Sequence, residues 1–254
     1  MTETIRWGVV GPGRIADSVT RDFPHVDGAV PVAVASRDLG RARDFADRHG
    51  IERAHGSYRA IIEDPDVDVL YLATPHPMHH AAALAAIDAG KALLVEKAFT
   101  ATVAGAVEVA DRAREAGVFV MEAMWTRFQP AVVALRELVA DGAIGDVRSV
   151  QADLGILRAW DPSDRLFSME LGGGAVLDLG VYPISFAQML LGDPVRVTAG
   201  GSTFPTGVDA EAAVLLEFGE GRTATLTCSL RGELPGAARV VGAVGWVDVL
   251  PRFH

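Results

Sequence analysis

Gly11-Pro12-Gly13-Arg14-Ile15-Ala16 stands directly after an apolar run, Ile5 to Val10, and opens an amphipathic stretch, Arg14 to Phe23. A glycine in the first position permits a tight turn out of a strand, and Gly13 lets backbone approach a bound pyrophosphate. Ala16 allows close helix packing, and the unpaired N–H groups of the first helical turn, at Arg14 and Ile15, face the anion. Alone the motif is weak and is also met as a structural turn; between a strand and a helix it is a dinucleotide fingerprint. The end of the second β-branched run selects the cofactor, since a carboxylate there accepts hydrogen bonds from a ribose 2′-hydroxyl but repels a 2′-phosphate. Ser36 and Arg37 occupy that end and Arg41 lies one turn on. One hydroxyl and two guanidinium groups suit a phosphate and favour NADP. If the arginines are merely solvated, Asp38 becomes a ribose ligand, which restores NAD, or else a helix cap.

Other reactive groups fall where runs end. Thr74-Pro75-His76-Pro77-Met78-His79-His80 follows Val67 to Ala73, and open parallel sheets bind ligands at such carboxyl ends. His76, His79 and His80 also invite a metal and, with it, a metal-dependent hydrolase; no acidic ligand accompanies them, so no metal is expected. Glu96-Lys97 ends the next run, Ala92 to Val95, where the lysine is either a surface charge or a group that donates a proton and orients a nicotinamide ribose. Asp178 and Tyr182 are four apart after Gly172-Gly173-Gly174, hence on one helical face. A tyrosine hydroxyl near a lysine ammonium ionises more easily, because positive charge favours phenolate, and it can then exchange a proton with a substrate hydroxyl.

The elements that position these groups show in the hydrophobic period. Val30 to Ala35, Val67 to Ala73, Ala92 to Val95 and Val118 to Met121 continue the strand series, with helices over Leu39 to His49, about Met78 to Ala89 and Val103 to Ala116 between them. Apolar strands bounded by helices predict a parallel sheet covered on both faces. Beyond residue 122 the pattern changes: a helix over Pro130 to Val139, a long strand from Val147 to Ala159, and a helix from Ala175 to Leu191 bent or irregular near Pro183. From Val195 onward it is β, ending in a strand from Gly245 to Leu250. Over Arg222 to Leu230, Ala224, Leu226, Cys228 and Leu230 alternate with Thr223, Thr225, Thr227 and Ser229, which places Cys228 as a small buried thiol. The expected domains are therefore 1–122, a doubly wound Rossmann sheet that binds dinucleotide, and 123–254, an α+β domain with an open, mainly antiparallel sheet for substrate and self-association.

Composition narrows the partners. A chain of 254 residues that is 50% hydrophobic can bury a real core. Its formal charge of -10 disfavours nucleic acid and anionic membranes, and no run approaches the roughly 18 apolar residues of a transmembrane helix. Met1 to Gly11 is too short in apolar residues for a signal peptide, so a cytoplasmic protein is expected. One cysteine excludes an intramolecular disulfide.

Taken in order, GPGRIA (11–16), ASR (35–37), TPHPMHH (74–80), EKA (96–98), EAMWTRF (122–128) and the GGG run leading to DLGVYP (178–183) resemble the glucose-fructose oxidoreductase/inositol dehydrogenase/MocA superfamily. MEAMWTRF and DLGVYP are most similar to its dimeric dihydrodiol dehydrogenase and NADP-dependent xylose dehydrogenase subgroup. The resemblance implies hydride transfer between a nicotinamide and a carbinol carbon of a sugar, lactol or cyclic diol. It implies that Lys97 is the lysine of the family's Glu-Lys-Pro motif, that Tyr182 is the acid/base and that Asp178 orients substrate. It further implies that Trp125, Arg127 and Phe128 line the substrate side, and that Thr74 and His79 contact cofactor. Ala98 departs from the pattern by replacing the proline. Family members continue for several dozen residues beyond the position of His254, so either the sequence is incomplete or the second sheet is shortened, and a shortened sheet leaves an edge for a partner in a homodimer or higher homo-oligomer. The alternative is a catalytically silent NADP-binding regulator or scaffold of the same fold.

Overall fold

Alternate residues of the strand β1 (Ile5–Val10) feed two different cores in the computed structural model, which describes residues 4–254. Val9 packs with Val34, Tyr71, Ala16 and Phe45 on one side of a sheet, while Val10 packs with Ala35, Leu72, Leu93, Ile87 and Val109 on the other. A side-chain period of two in strands covered by helices on both faces requires this arrangement. Met1 to Glu3, part of the Met1 to Gly11 stretch weighed against a signal peptide, lie outside the described residues. The chain divides between Ala123 and Met124 into two compact units.

In the first unit, α1 (Arg14–Asp22), β2 (Ala29–Ala35), α2 (Leu39–His49), β3 (Arg53–His55), α3 (Tyr58–Ile62), β4 (Val69–Leu72), α4 (His76–Asp88), β5 (Ala92–Val95), α5 (Val103–Ala116) and β6 (Val120–Glu122) follow β1. All strands are parallel, in the order β3-β2-β1-β4-β5-β6. The sequence reading did not include β3 or α3. β3 has no apolar run to announce it; it is held at the sheet edge by tertiary contacts, in which Arg53 and His55 both meet the buried Asp64 carboxylate at 3.0 Å.

The second unit contains α6 (Pro130–Ala140), β7 (Val147–Gly155), α7 (Val181–Leu191), β8 (Arg196–Thr203), β9 (Asp209–Glu217), β10 (Thr223–Ser229), β11 (Ala238–Gly242) and β12 (Trp246–Val249). Its sheet runs β12-β11-β7-β10-β9-β8; only the β7/β10 pair is parallel. One face, with Val150, Leu154, Leu226 and Cys228, packs on Leu179, Phe186 and Leu191. Cys228 is buried as its alternation predicts, and burial pushes its thiol up to about 11. The opposite face is open, with Thr198, Leu215, Thr225 and Thr227 lining a shallow groove.

One expected element is corrected and the irregularity of another is placed. The strand predicted from Val147 to Ala159 stops at Gly155, whose backbone lies so close to Gly232 that a Cβ would stand 2.6 Å from its carbonyl oxygen. The irregularity expected near Pro183 is located in the turn before it: Val176–Gly180 is one turn of π-helix, in which the Val181 N–H donates to the carbonyl of Val176, five residues back. Proline supplies no N–H and its ring clashes with the carbonyl four residues before it, and widening the preceding turn relieves both.

Candidate active site

From β1 the first unit's chain moves outward through β2 to β3, returns to β4 beside β1, and moves outward again to β6. The loops after β1 and β4 therefore diverge and leave a crevice at the carboxyl ends, where open α/β sheets bind ligands. Gly11 turns there with φ +89°, and a Cβ on it would meet the Ala73 carbonyl oxygen at 3.0 Å, so the two loops close on one another only because the residue is glycine. Gly13 is the N-cap of α1 with no side-chain cap, and a Cβ on it would meet nothing within 4 Å. The first-turn N–H groups, Arg14 and Ile15 among them, have no carbonyl of their own helix to pair with. Thr74, at the end of β4, has a buried Oγ1 without a hydrogen-bond partner. A glycine cradle, a bare helix N-terminus and an unsatisfied hydroxyl on the opposite loop fit a dinucleotide pyrophosphate.

At the end of β2, Ser36 is buried and its Oγ accepts the Asp38 N–H at 3.2 Å. Asp38 spends its carboxylate as the N-cap of α2, with Oδ1 accepting from Gly40 at 2.8 Å and Arg41 at 3.2 Å. Arg37 and Arg41 are exposed beside it.

The three histidines point to different partners rather than to one centre. His76 Nε2 lies 3.1 Å from the Lys97 carbonyl, and His80 pairs with Glu108 at 2.8 Å. His79 is fully buried, Nδ1 at 3.0 Å from the Ala98 carbonyl and Nε2 at 2.7 Å from that of Thr74. Desolvation holds its imidazole below the usual range against those carbonyl bonds. The ring thereby fastens the Thr74 loop to the Lys97–Ala98 loop. The Lys97–Ala98 peptide is cis.

Glu96 and Lys97 leave β5 at the same sheet edge. Glu96 is only 8% exposed; burial pushes its carboxyl above the ordinary range, opposed by the Tyr71 hydroxyl, which donates to Oε1 at 2.5 Å, and by the Lys97 charge. Glu122, at the end of β6, accepts the Phe99 N–H at 2.8 Å and so pins the segment after Lys97. Neither Tyr71 nor Glu122 was singled out from the sequence. A signal existed for Tyr71, since a tyrosine inside a fully buried strand needs a partner for its hydroxyl.

In the second unit, Trp125–Phe128 is a 3-10 turn that exposes Trp125 and Phe128, while Arg127 donates to Ser185 Oγ at 3.2 Å. Asp178 is 7% exposed on the π turn and accepts from Arg165 at 2.9 Å. Tyr182 is buried on α7, with its ring 5.1 Å from that of His254. Arg165 had no sequence signal, being thirteen residues from Asp178 across an irregular stretch.

A doubly wound parallel sheet with a pyrophosphate cradle at its switch point, accompanied by an α+β unit carrying a buried aspartate and tyrosine, defines a dinucleotide-dependent oxidoreductase. Family models agree: residues 5–124 match the oxidoreductase family with NAD-binding Rossmann fold, and residues 132–248 match the GFO/IDH/MocA C-terminal domain. This chain belongs to the GFO/IDH/MocA oxidoreductase family. It is 41% identical over 253 residues to trans-1,2-dihydrobenzene-1,2-diol dehydrogenase of Mus musculus, covering 96% of this chain and 74% of that one. An aldose-aldose oxidoreductase from Caulobacter crescentus, solved with glycerol, superposes with a TM-score of 0.91 at 30% identity, covering 99% of this chain and 78% of that one. A 3-ketoreductase from Actinomadura kijaniata, solved with NADP and TDP-benzene, gives a TM-score of 0.88 at 30% identity with the same coverages. The resemblance read from the sequence is thus shown, and the chain is a dehydrogenase acting on CH–OH groups. No described helix is long and apolar enough to cross a membrane.

Proposed function

We propose that this protein is an NADP-dependent dehydrogenase of small sugars, lactols or cyclic diols, in which Lys97, Asp178 and Tyr182 serve one hydride transfer. The observation that carries the reading is the cradle formed by Gly11, Gly13 and the bare N-terminus of α1, with Lys97 two strands away on the same sheet edge. NADP is preferred because Asp38 is spent as a helix cap, leaving Ser36, Arg37 and Arg41 to meet a 2′-phosphate. Thr74 Oγ1 is the buried donor on the facing loop, and His79 and Glu96 hold that loop and the lysine segment in place.

A nicotinamide held by Gly11, Gly13 and the N-terminus of α1 would supply the hydride acceptor for oxidation of the carbinol carbon. Tyr182 removes the proton of the carbinol hydroxyl as its carbonyl forms, and in the reverse direction returns it. Lys97 is the second proton-handling group, and the Asp178 carboxylate accepts hydrogen bonds from substrate hydroxyls. Trp125, Arg127 and Phe128 line the substrate side; the exposed indole and phenyl give a sugar or diol ring an apolar surface. The relatives named for dihydrodiol, aldose and ketosugar chemistry support this substrate class. The open face of the second sheet, around Thr198, Leu215 and Thr225, is the surface we assign to a homodimer or higher homo-oligomer. The cytoplasm, where nicotinamide cofactors are held, is the compartment this reading requires.

Absorbance at 340 nm with NADP and a panel of aldoses, lactols and trans-diols tests the reading. Substrate-dependent reduction of NADP is expected. Cofactor binding with no turnover across the panel would instead make the chain an NADP-binding regulator.

A further inference from the structure

We infer that Arg165 is the positioning residue that aims Asp178, and that the glycine run 172–174 exists to deliver it. The inference rests on the proposed role of Asp178 in the reaction. Arg165 opens the 3-10 turn Arg165–Phe167, capped by Asp164, whose Oδ1 accepts the Leu166 N–H at 3.0 Å and whose Oδ2 takes Arg158 Nε at 3.0 Å. Gly173 lies against this turn: a Cβ there would stand 2.5 Å from the Leu166 carbonyl oxygen and 2.7 Å from that of Arg165. Gly174 donates to the same Leu166 carbonyl at 2.9 Å with φ +112°, and a Cβ on it would collide with the Asp209 carboxylate. Asp209 Oδ2 in turn accepts the Val176 N–H at 2.6 Å, at the head of the π turn that carries Asp178. The run is therefore fastened on one side to the Arg165 turn and on the other to the Asp178 turn, and no side chain fits at either contact.

The product of this packing is one ion pair, Arg165 Nη2 to Asp178 Oδ1 at 2.9 Å, with the aspartate side chain 10% exposed. A buried carboxylate is held in one rotamer by the charged and hydrogen-bonding groups it meets, and here Arg165 is one of them. Arginine suits the task because it keeps its charge and its planar fork holds the acceptor in direction as well as distance. A carboxylate misplaced by about 1 Å orients substrate poorly, and such errors cost on the order of 100-fold in rate.

The test uses the full chain with the best substrate from the panel, measuring kcat, KM, NADPH affinity by fluorescence and melting temperature for Arg165→Met, Arg165→Lys, Asp178→Asn and the Met/Asn double variant. Arg165→Met is expected to lower kcat by about 10- to 100-fold with NADPH affinity within about twofold of the parent, and Arg165→Lys to recover part of the loss. The double variant should be no slower than Asp178→Asn alone, because Arg165 acts only through Asp178. If Arg165→Met unfolds, Arg165→Gln is read in its place. A kcat within about twofold of the parent, or losses that multiply in the double variant, overturns the inference alone. Near-normal turnover of Asp178→Asn overturns the role of Asp178 itself and the inference with it.

Discussion

Gly11 and Gly13 sit two residues apart in one loop, and the geometry assigns them opposite consequences when each is changed to alanine. At Gly13 the backbone is extended, φ -93° and ψ -174°, so alanine meets no strain, and its Cβ meets no protein atom within 4 Å. Alanine is a poorer N-cap than glycine by about 0.5–1 kcal/mol, and it gains about 0.4–1 kcal/mol by restricting the unfolded chain. The two effects offset, and the melting temperature should move by about 2 °C or less. The methyl group nevertheless projects into the space at the head of α1 where a pyrophosphate would lie. Forcing the anion off even one N–H there removes a charge-assisted hydrogen bond of about 1.5–3 kcal/mol, which is roughly 10- to 150-fold in NADPH affinity. At Gly11, φ is +89° and the new Cβ would press on the Ala73 carbonyl oxygen at 3.0 Å. That backbone region costs an L-residue about 1–2 kcal/mol, so the melting temperature should fall by about 2–8 °C. Calorimetry paired with NADPH fluorescence titration reads both. Unchanged NADPH affinity in Gly13→Ala, or a loss of several degrees there, would refute the cradle.

Lys97→Met and Tyr182→Phe should each lower turnover by about two to four orders of magnitude while cofactor affinity changes little; steady-state kinetics with near-normal kcat in both would exclude them as the proton-handling pair. Arg37→Ala is expected to weaken NADP by about tenfold while leaving NAD nearly unchanged, and equal losses by titration would remove its phosphate role. Glu96 gives a pH signature. Its folded pKa is raised by burial above the unfolded value of about 4.3, so the stability it contributes is complete below that pH and declines as pH rises through the folded value. Glu96→Gln cannot ionise, so its melting temperature relative to the parent should rise from pH 5 to pH 8; parallel curves would contradict the assignment.

Strongly periodic segments were legible in the sequence because periodicity reports burial directly. Ile5 to Val10, Leu39 to His49, Ala92 to Val95 and Val103 to Ala116 have the bounds their apolar patterns predict, and Ala224, Leu226 and Cys228 face the core as their alternation requires. Features held by distant partners were not legible. β3 depends on Asp64, which lies eleven residues beyond Arg53. The end of β7 is decided by the approach of Gly232, and no local pattern near Gly155 reports that neighbour. Pro183 announced a distortion but not its place, since the proline itself fits the first turn of α7 and the widened turn precedes it. At the site, Gly11, Ser36, Thr74 and Lys97 were visible as residues ending strands. Tyr71, Glu122 and Arg165 act through hydrogen bonds across 25, 23 and 13 residues, a separation at which spacing in the sequence carries no information.

The central claim is hydride transfer from a carbinol carbon to a bound nicotinamide, and an isotope follows that atom directly. A substrate deuterated at the carbinol carbon is incubated with the protein and NADP, and the reduced cofactor is recovered for mass spectrometry and NMR. The account predicts one deuterium at nicotinamide C4, on a single face. Reduced cofactor without the label, or deuterium released to water, would contradict it.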